Sequence, residues 1–304
     1  MTSPAAPAPS QARAAVIAGV ACYGLWGLLP IYLQATARAG PTPFEIIAHR
    51  AIWSVPCAGL LVVAARQRVH ALAVLKTPRT LAWLGASALL IAANWLLFIW
   101  AVANGHALEG SLGYFINPLM NMALGAVLFR ERLDGLAKAA IGLAAAGVMV
   151  QTAALGHLPL ISLGLAVSFA AYGLIRKQVA ADAQTGLFIE CLILAGPAVA
   201  YVVWLQKTGA GHFTVSPSTT TLLLLAGPFT VGPLALFAWA ARRLPLSSVG
   251  FLQFIAPSLQ FVFGVETGEH LTALSTAAFG LIWMGAILFA FGAWRAAGRA
   301  RRVA

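Results

Sequence analysis

Glu45, His49 and Arg50 stand together in a stretch, residues 44–64, that is otherwise mostly apolar. Four residues apart on a helix, Glu45 and His49 share a face, so a carboxylate and an imidazole meet there, while Arg50 points elsewhere. Two roles suit the pair. It can take up and release protons and so couple solute movement to a proton gradient. It can equally be an ion-paired cluster tying helices together near a span end, where burial costs less. Arg50 can snorkel toward the span end or pair with Glu109 or Glu190, which also lie inside apolar runs. Glu131 and Glu269 fall at the ends of such runs and read as solvated helix caps.

Amides and aromatic rings form a second group. Asn94, Trp95, Trp100, Tyr114 and Asn117 interrupt two apolar runs, and Gln253 interrupts a third. Asn117 precedes Pro118, and Gln253 lies shortly before Pro257. A proline inside a helix removes a backbone hydrogen bond and frees a carbonyl, so both positions are read as helix breaks. Broken helices are tolerated in a membrane where they line a cavity. Tyr23, Trp26, Tyr172 and Trp239 add rings on which flat solutes can stack. Singly, each amide is equally suited to bonding across helices. As a set, these residues read as the lining of a substrate cavity.

The sequence lacks the residues of an enzyme. There is no H-E-x-x-H, no G-x-S-x-G and no G-x-x-x-x-G-K-[ST]. Asp134 and Asp182 are the two aspartates, and both fall between apolar runs. Cys22, Cys57 and Cys191 lie inside apolar runs without C-x-x-C spacing and read as small core residues. No metal and no cofactor is expected.

These residues must be positioned by membrane helices. Of the 304 residues, 61% are hydrophobic and 9% charged; a soluble domain carries about 25% charged residues. A bilayer-spanning helix needs about 20 mostly apolar residues. Runs of that kind lie near residues 14–33, 44–64, 80–103, 108–129, 136–153, 159–180, 185–206, 218–241, 246–265 and 272–294. The expected fold is therefore an all-α polytopic membrane protein of ten spans. Barrel strands would show short alternating segments, which are absent. Residues 1–13 read as a disordered cytoplasmic tail, the run after Arg13 as the first span rather than a signal peptide, and residues 295–304 as a basic cytoplasmic tail.

Charge gives the orientation. The net charge is +11. With ten spans, all Lys and Arg except Arg38, Arg50 and Lys207 fall on the side holding both termini, which the positive-inside rule makes cytoplasmic. The basic excess is thus explained by topology and anionic lipid, without a nucleic-acid partner. Oligomeric state leaves no signal in the sequence.

The two halves, 14–153 and 159–294, resemble each other in order. Tyr23-Gly24-Leu25 returns as Tyr172-Gly173-Leu174, and Leu97-Phe98-Ile99-Trp100-Ala101 as Leu236-Phe237-Ala238-Trp239-Ala240. Pro118 and Gly125 match Pro257 and Gly264 at an offset of 139. Glu131, Leu133, Gly142 and Gly147 match Glu269, Leu271, Gly280 and Gly285 at an offset of 138. Five spans per unit would make this a five-plus-five inverted-topology repeat, the architecture of secondary transporters with a site between the halves. A duplicated membrane scaffold that binds partners without transport is the other reading of such a repeat.

Several stretches resemble a known family. Pro43-Phe44-Glu45-Ile46-Ile47-Ala48-His49-Arg50, Asn94-Trp95-Leu96-Leu97-Phe98-Ile99-Trp100-Ala101, Ser111-Leu112-Gly113-Tyr114-Phe115-Ile116-Asn117-Pro118 and Tyr172-Gly173-Leu174-Ile175-Arg176-Lys177 are similar to the RarD branch of the EamA-type drug/metabolite transporters. The likeness runs from about residue 14 to 294, departing at Val265-Glu266-Thr267-Gly268. It implies a bacterial inner-membrane permease of ten helices. The branch is named for a link to chloramphenicol sensitivity. Together these readings give a secondary transporter that moves small, partly apolar or aromatic metabolites or drugs outward by alternating access.

Overall fold

The computed structural model describes residues 9–128, 135–241, 243–244 and 252–303, and the regular structure among them is helical. The first half holds α1 (Pro9–Arg38), α2 (Pro43–Ala64), α3 (Arg68–Leu75), α4 (Pro78–Ala103), α5 (Ala107–Leu128) and α6 (Gly135–Leu155). The second holds α7 (Leu160–Gln178), α8 (Ala183–Thr208), α9 (Pro217–Ala241), α10 (Ile255–Glu266) and α11 (Ala273–Val303). Start and stop signals are local. Pro43 and Pro78 open α2 and α4, where no N–H is needed, and Thr42 accepts the Glu45 amide at 3.2 Å as the N-cap of α2. Gly209 ends α8 at φ 72°, a left-handed conformation that glycine adopts without penalty.

The expectation of ten spans in a five-plus-five repeat is corrected here. Among the described residues seven helices are long and apolar enough to cross a membrane: α1, α2, α4, α6, α8, α9 and α11. The apolar part of α7, Leu160–Arg176, is too short for that set. α10 has 12 residues, and residues 245–251, where its expected span began, lie outside the described residues. The side chains of α5 beyond Asn117 are largely outside the described set as well. Two further differences concern the ends: α1 begins at Pro9, inside the expected tail, and α11 continues through Val303. α3, an eight-residue helix in the basic link after α2, had no counterpart in the hydropathy pattern.

α1 packs on α9 as α7 packs on α4, and α1 on α10 as α7 on α5; α2 pairs with α8, and α6 with α11. The last pair shows why matched glycines recur. A Cβ on Gly147 would lie 2.8 Å from the Ala278 carbonyl oxygen, and one on Gly285 would lie 2.9 Å from that of Ala140. Each glycine lets its helix approach the backbone of the other.

One apolar cluster locates an end of the bundle. Leu29 and Leu33 of α1, Ile46 of α2, Phe98, Ile99 and Val102 of α4, Ala107 of α5, Leu165 of α7 and Leu223 of α9 meet there, joined by Phe213 and by Phe263 of α10. The C-terminal ends of α1, α4 and α10 therefore lie beside the N-terminal ends of α2, α5, α7 and α9. This is the end that carries few basic residues.

Candidate functional site

A polar centre lies just inside that cluster, built around Arg50. α2 carries Arg50 inward, where it is 5% exposed. Its Nε donates to Thr230 Oγ1 at 2.7 Å, and its guanidinium lies 4.1 Å from the centroid of the Trp95 ring. Such a cation–π contact covers one face of the guanidinium. Thr230 is aimed by α9, where its hydroxyl also donates to the Ala226 carbonyl, between the helix prolines Pro228 and Pro233.

α4 supplies the next layer. Asn94, 1% exposed, donates from Nδ2 to the Leu165 carbonyl and to Ser168 Oγ of α7, both at 2.9 Å. Its Oδ1 accepts from the Tyr114 hydroxyl of α5 at 3.4 Å, and the Tyr114 ring meets Phe98 edge-on at 5.2 Å. On the far side Tyr32 of α1 donates to the Leu222 carbonyl and stacks on Phe229 at 4.7 Å. Asn117 is 1% exposed, and its Oδ1 has no hydrogen-bond partner among the described residues. Helices α1, α2, α4, α5, α7 and α9 thus converge on one region that mixes a cation, an amide, hydroxyls and aromatic rings.

The acids find partners other than those the spacing suggested. Glu45, 1% exposed, accepts from the His212 amide and joins His212 Nδ1, both at 2.7 Å. His212 lies in the link between α8 and α9, so this bond crosses between the halves. His49 instead accepts the Trp53 indole N–H at Nδ1 and stacks on Phe213 at 4.8 Å. Glu190 accepts from Ser87 at 2.5 Å and from Tyr172 at 3.4 Å, and lies 3.6 Å from Arg176. Glu109 meets His106 at 3.7 Å. Glu269 accepts the Ala107 and Leu108 amides at 2.6 and 2.9 Å, capping α5 from the link between α10 and α11. Burial pushes the Glu269 carboxyl above its ordinary range, and the two amide donors pull it back. Glu131 lies outside the described residues.

The remaining candidates spread over the bundle. Tyr23 and Trp26 form an aromatic group with Phe237, at 5.6 to 6.3 Å, and the Trp26 carbonyl accepts from Gln260. Trp100 is 42% exposed and stacks on His106; Trp239 is 38% exposed beneath the Arg243 guanidinium. Gln253 is half-buried just ahead of α10. Pro257 occupies the first turn of α10, and its carbonyl accepts from Ser111 at 2.7 Å. α5 runs uninterrupted across position 118, whose side chain lies outside the described residues. Sequence reading did not single out Thr230, Ser168, Tyr32, Gln260 or His212. Two cavities among the described residues, of about 330 and 560 Å³, lie elsewhere, beside Phe254 and Trp283 and beside Pro56 and Phe188.

A helical membrane bundle with a polar centre and no metal-ligating cluster among the described residues has the form of a membrane carrier. Residues 13–152 match the EamA-like transporter family. Over 281 residues the chain is 42% identical to Protein RarD of Escherichia coli (strain K12), covering 92% of this chain and 94% of that protein. It is 39% identical over 298 residues to an uncharacterized transporter of Vibrio cholerae, covering 97% of this chain and 98% of the relative. A crystal structure at 20% identity superposes with a TM-score of 0.58, covering 92% of this chain and 98% of that one, and shows the shared fold. The chain belongs to the RarD branch of the EamA-type drug/metabolite transporters. It is a multi-pass inner-membrane protein, a secondary transporter of small metabolites or drugs rather than an enzyme.

Proposed function

We propose that the protein exports small, partly apolar or aromatic solutes by alternating access, with both termini cytoplasmic and no nucleic-acid partner. Residues 14–153 and 159–294 act as the two moving halves. Substrate contacts come from Asn94, Trp95, Tyr114 and Asn117, with Tyr23, Trp26, Trp100, Tyr172, Trp239 and Gln253 along the route. Glu45, His49, Glu109 and Glu190 hold helices and links together through their bonds.

The observation that carries this reading is the convergence of Arg50, Thr230, Trp95, Asn94, Ser168 and Tyr114 from both halves on one buried region. Packing alone does not require so many polar groups in an apolar bundle, and a solute passing between halves does. The test is counterflow in liposomes, with labelled aromatic metabolites and chloramphenicol. Saturable exchange in the native protein that is lost in a folded Trp95→Ala variant is the expected result. Equal exchange by both proteins would remove the site from this region, and no exchange at all would return the chain to a scaffold.

A further inference from the structure

We infer that the polar centre receives the carboxylate of an organic anion, with Arg50 as its counter-charge. This rests on the transport reading above and names the substrate class for the same site.

Glu45 is held by His212, Glu190 by Arg176, Ser87 and Tyr172, and Glu109 by His106. Among the described residues no carboxylate lies within ion-pair distance of Arg50. Among the described residues the titratable groups that bear on it are Tyr114, Tyr32 and Cys191, all neutral in their ordinary forms at pH 7. A cation enclosed in an apolar bundle needs a counter-charge or a full set of acceptors. Arg50 has Thr230 on Nε and the Trp95 ring on one face, while among the described residues its two Nη groups have no acceptor. Those two groups form the fork that fits a carboxylate with two parallel hydrogen bonds. One cation matches a single negative charge, which favours a carboxylate over a phosphate dianion. Trp95, Tyr114 and Tyr32 surround the position with rings, so the anion carries an aromatic or apolar body.

Indole-3-acetate and phenylacetate, each paired with its neutral amide, give the test. Binding to protein in nanodiscs is followed by tryptophan fluorescence, and exchange by counterflow. The native protein should bind each acid about 10- to 100-fold more tightly than its amide, the range for one charge-assisted pair. Arg50→Gln should abolish that preference, and Arg50→Lys should keep part of it. Equal affinity for acid and amide in the native protein overturns the inference without need of a variant. So does a folded Arg50→Gln that keeps the preference, or saturation by chloride alone with no response to either acid. Exchange of the amides without preference for the acids leaves the transport site standing and removes only its charge. Absence of exchange for every acid, amide and neutral aromatic tested overturns both.

Discussion

Asn94 and Asn117 are both buried amides near the polar centre, yet their surroundings differ. Asn94 joins α4 to α7 through two donated bonds and receives a third from Tyr114, whereas Asn117 Oδ1 has no partner among the described residues. Asn94→Ala should therefore lower the unfolding midpoint as well as transport, with a stability loss of about 1–2 kcal/mol, typical of interhelical polar bonds. Asn117→Ala should lose less stability and show its effect chiefly in exchange rate. Thermal denaturation in detergent, run beside counterflow, separates the two. At this scale the sequence marked residue types well and partners poorly. Glu45 and His49 share a face by spacing, but the group that binds Glu45 is His212, 167 residues further on in a polar link. Thr230 and Ser168 left no mark because a hydroxyl inside an apolar helix usually bonds its own backbone carbonyl, as both do here.

Elements were legible where apolar runs were long. α1, α2, α4, α6, α8, α9 and α11 follow from hydropathy and from the prolines and glycines at their ends. α3 was not, since eight residues in a basic link carry no span-length signal, and α10 was read as longer than its described 12 residues. Gly147 and Gly285 do the same work on opposite sides of one helix pair. A side chain at either position meets backbone oxygen, which cannot turn away. Gly147→Ala and Gly285→Ala should each destabilise by about 1–3 kcal/mol, the range for overpacked sites. Unfolding in graded denaturant measures this, and a neutral result at both would show that α6 and α11 separate freely. Glu269→Ala should cost about 0.5–2 kcal/mol through the uncapped start of α5. Glu269→Gln, which can still accept one amide, should recover part of it.

For the whole molecule, the uneven distribution of Lys and Arg sets a direction. A fluorescent protein fused after Ala304 should fold and glow in the cytoplasm, whereas alkaline phosphatase at the same place should stay inactive; the opposite pattern would invert the topology. In the topology we propose, the poorly basic end faces outward, and the cluster of Leu33 and Phe98 with Phe213 packed on it lies at that end. Two carboxylates, one buried and one partly buried, fasten the halves across it with two bonds each, Glu45 to His212 and Glu269 to the start of α5. In the export we propose, a solute departs outward only once both contacts let go, so their lifetime sets the tempo. Shortening that wait, with Glu45→Gln and Glu269→Gln together, should speed release while weakening the seal that keeps expelled molecules from drifting back in.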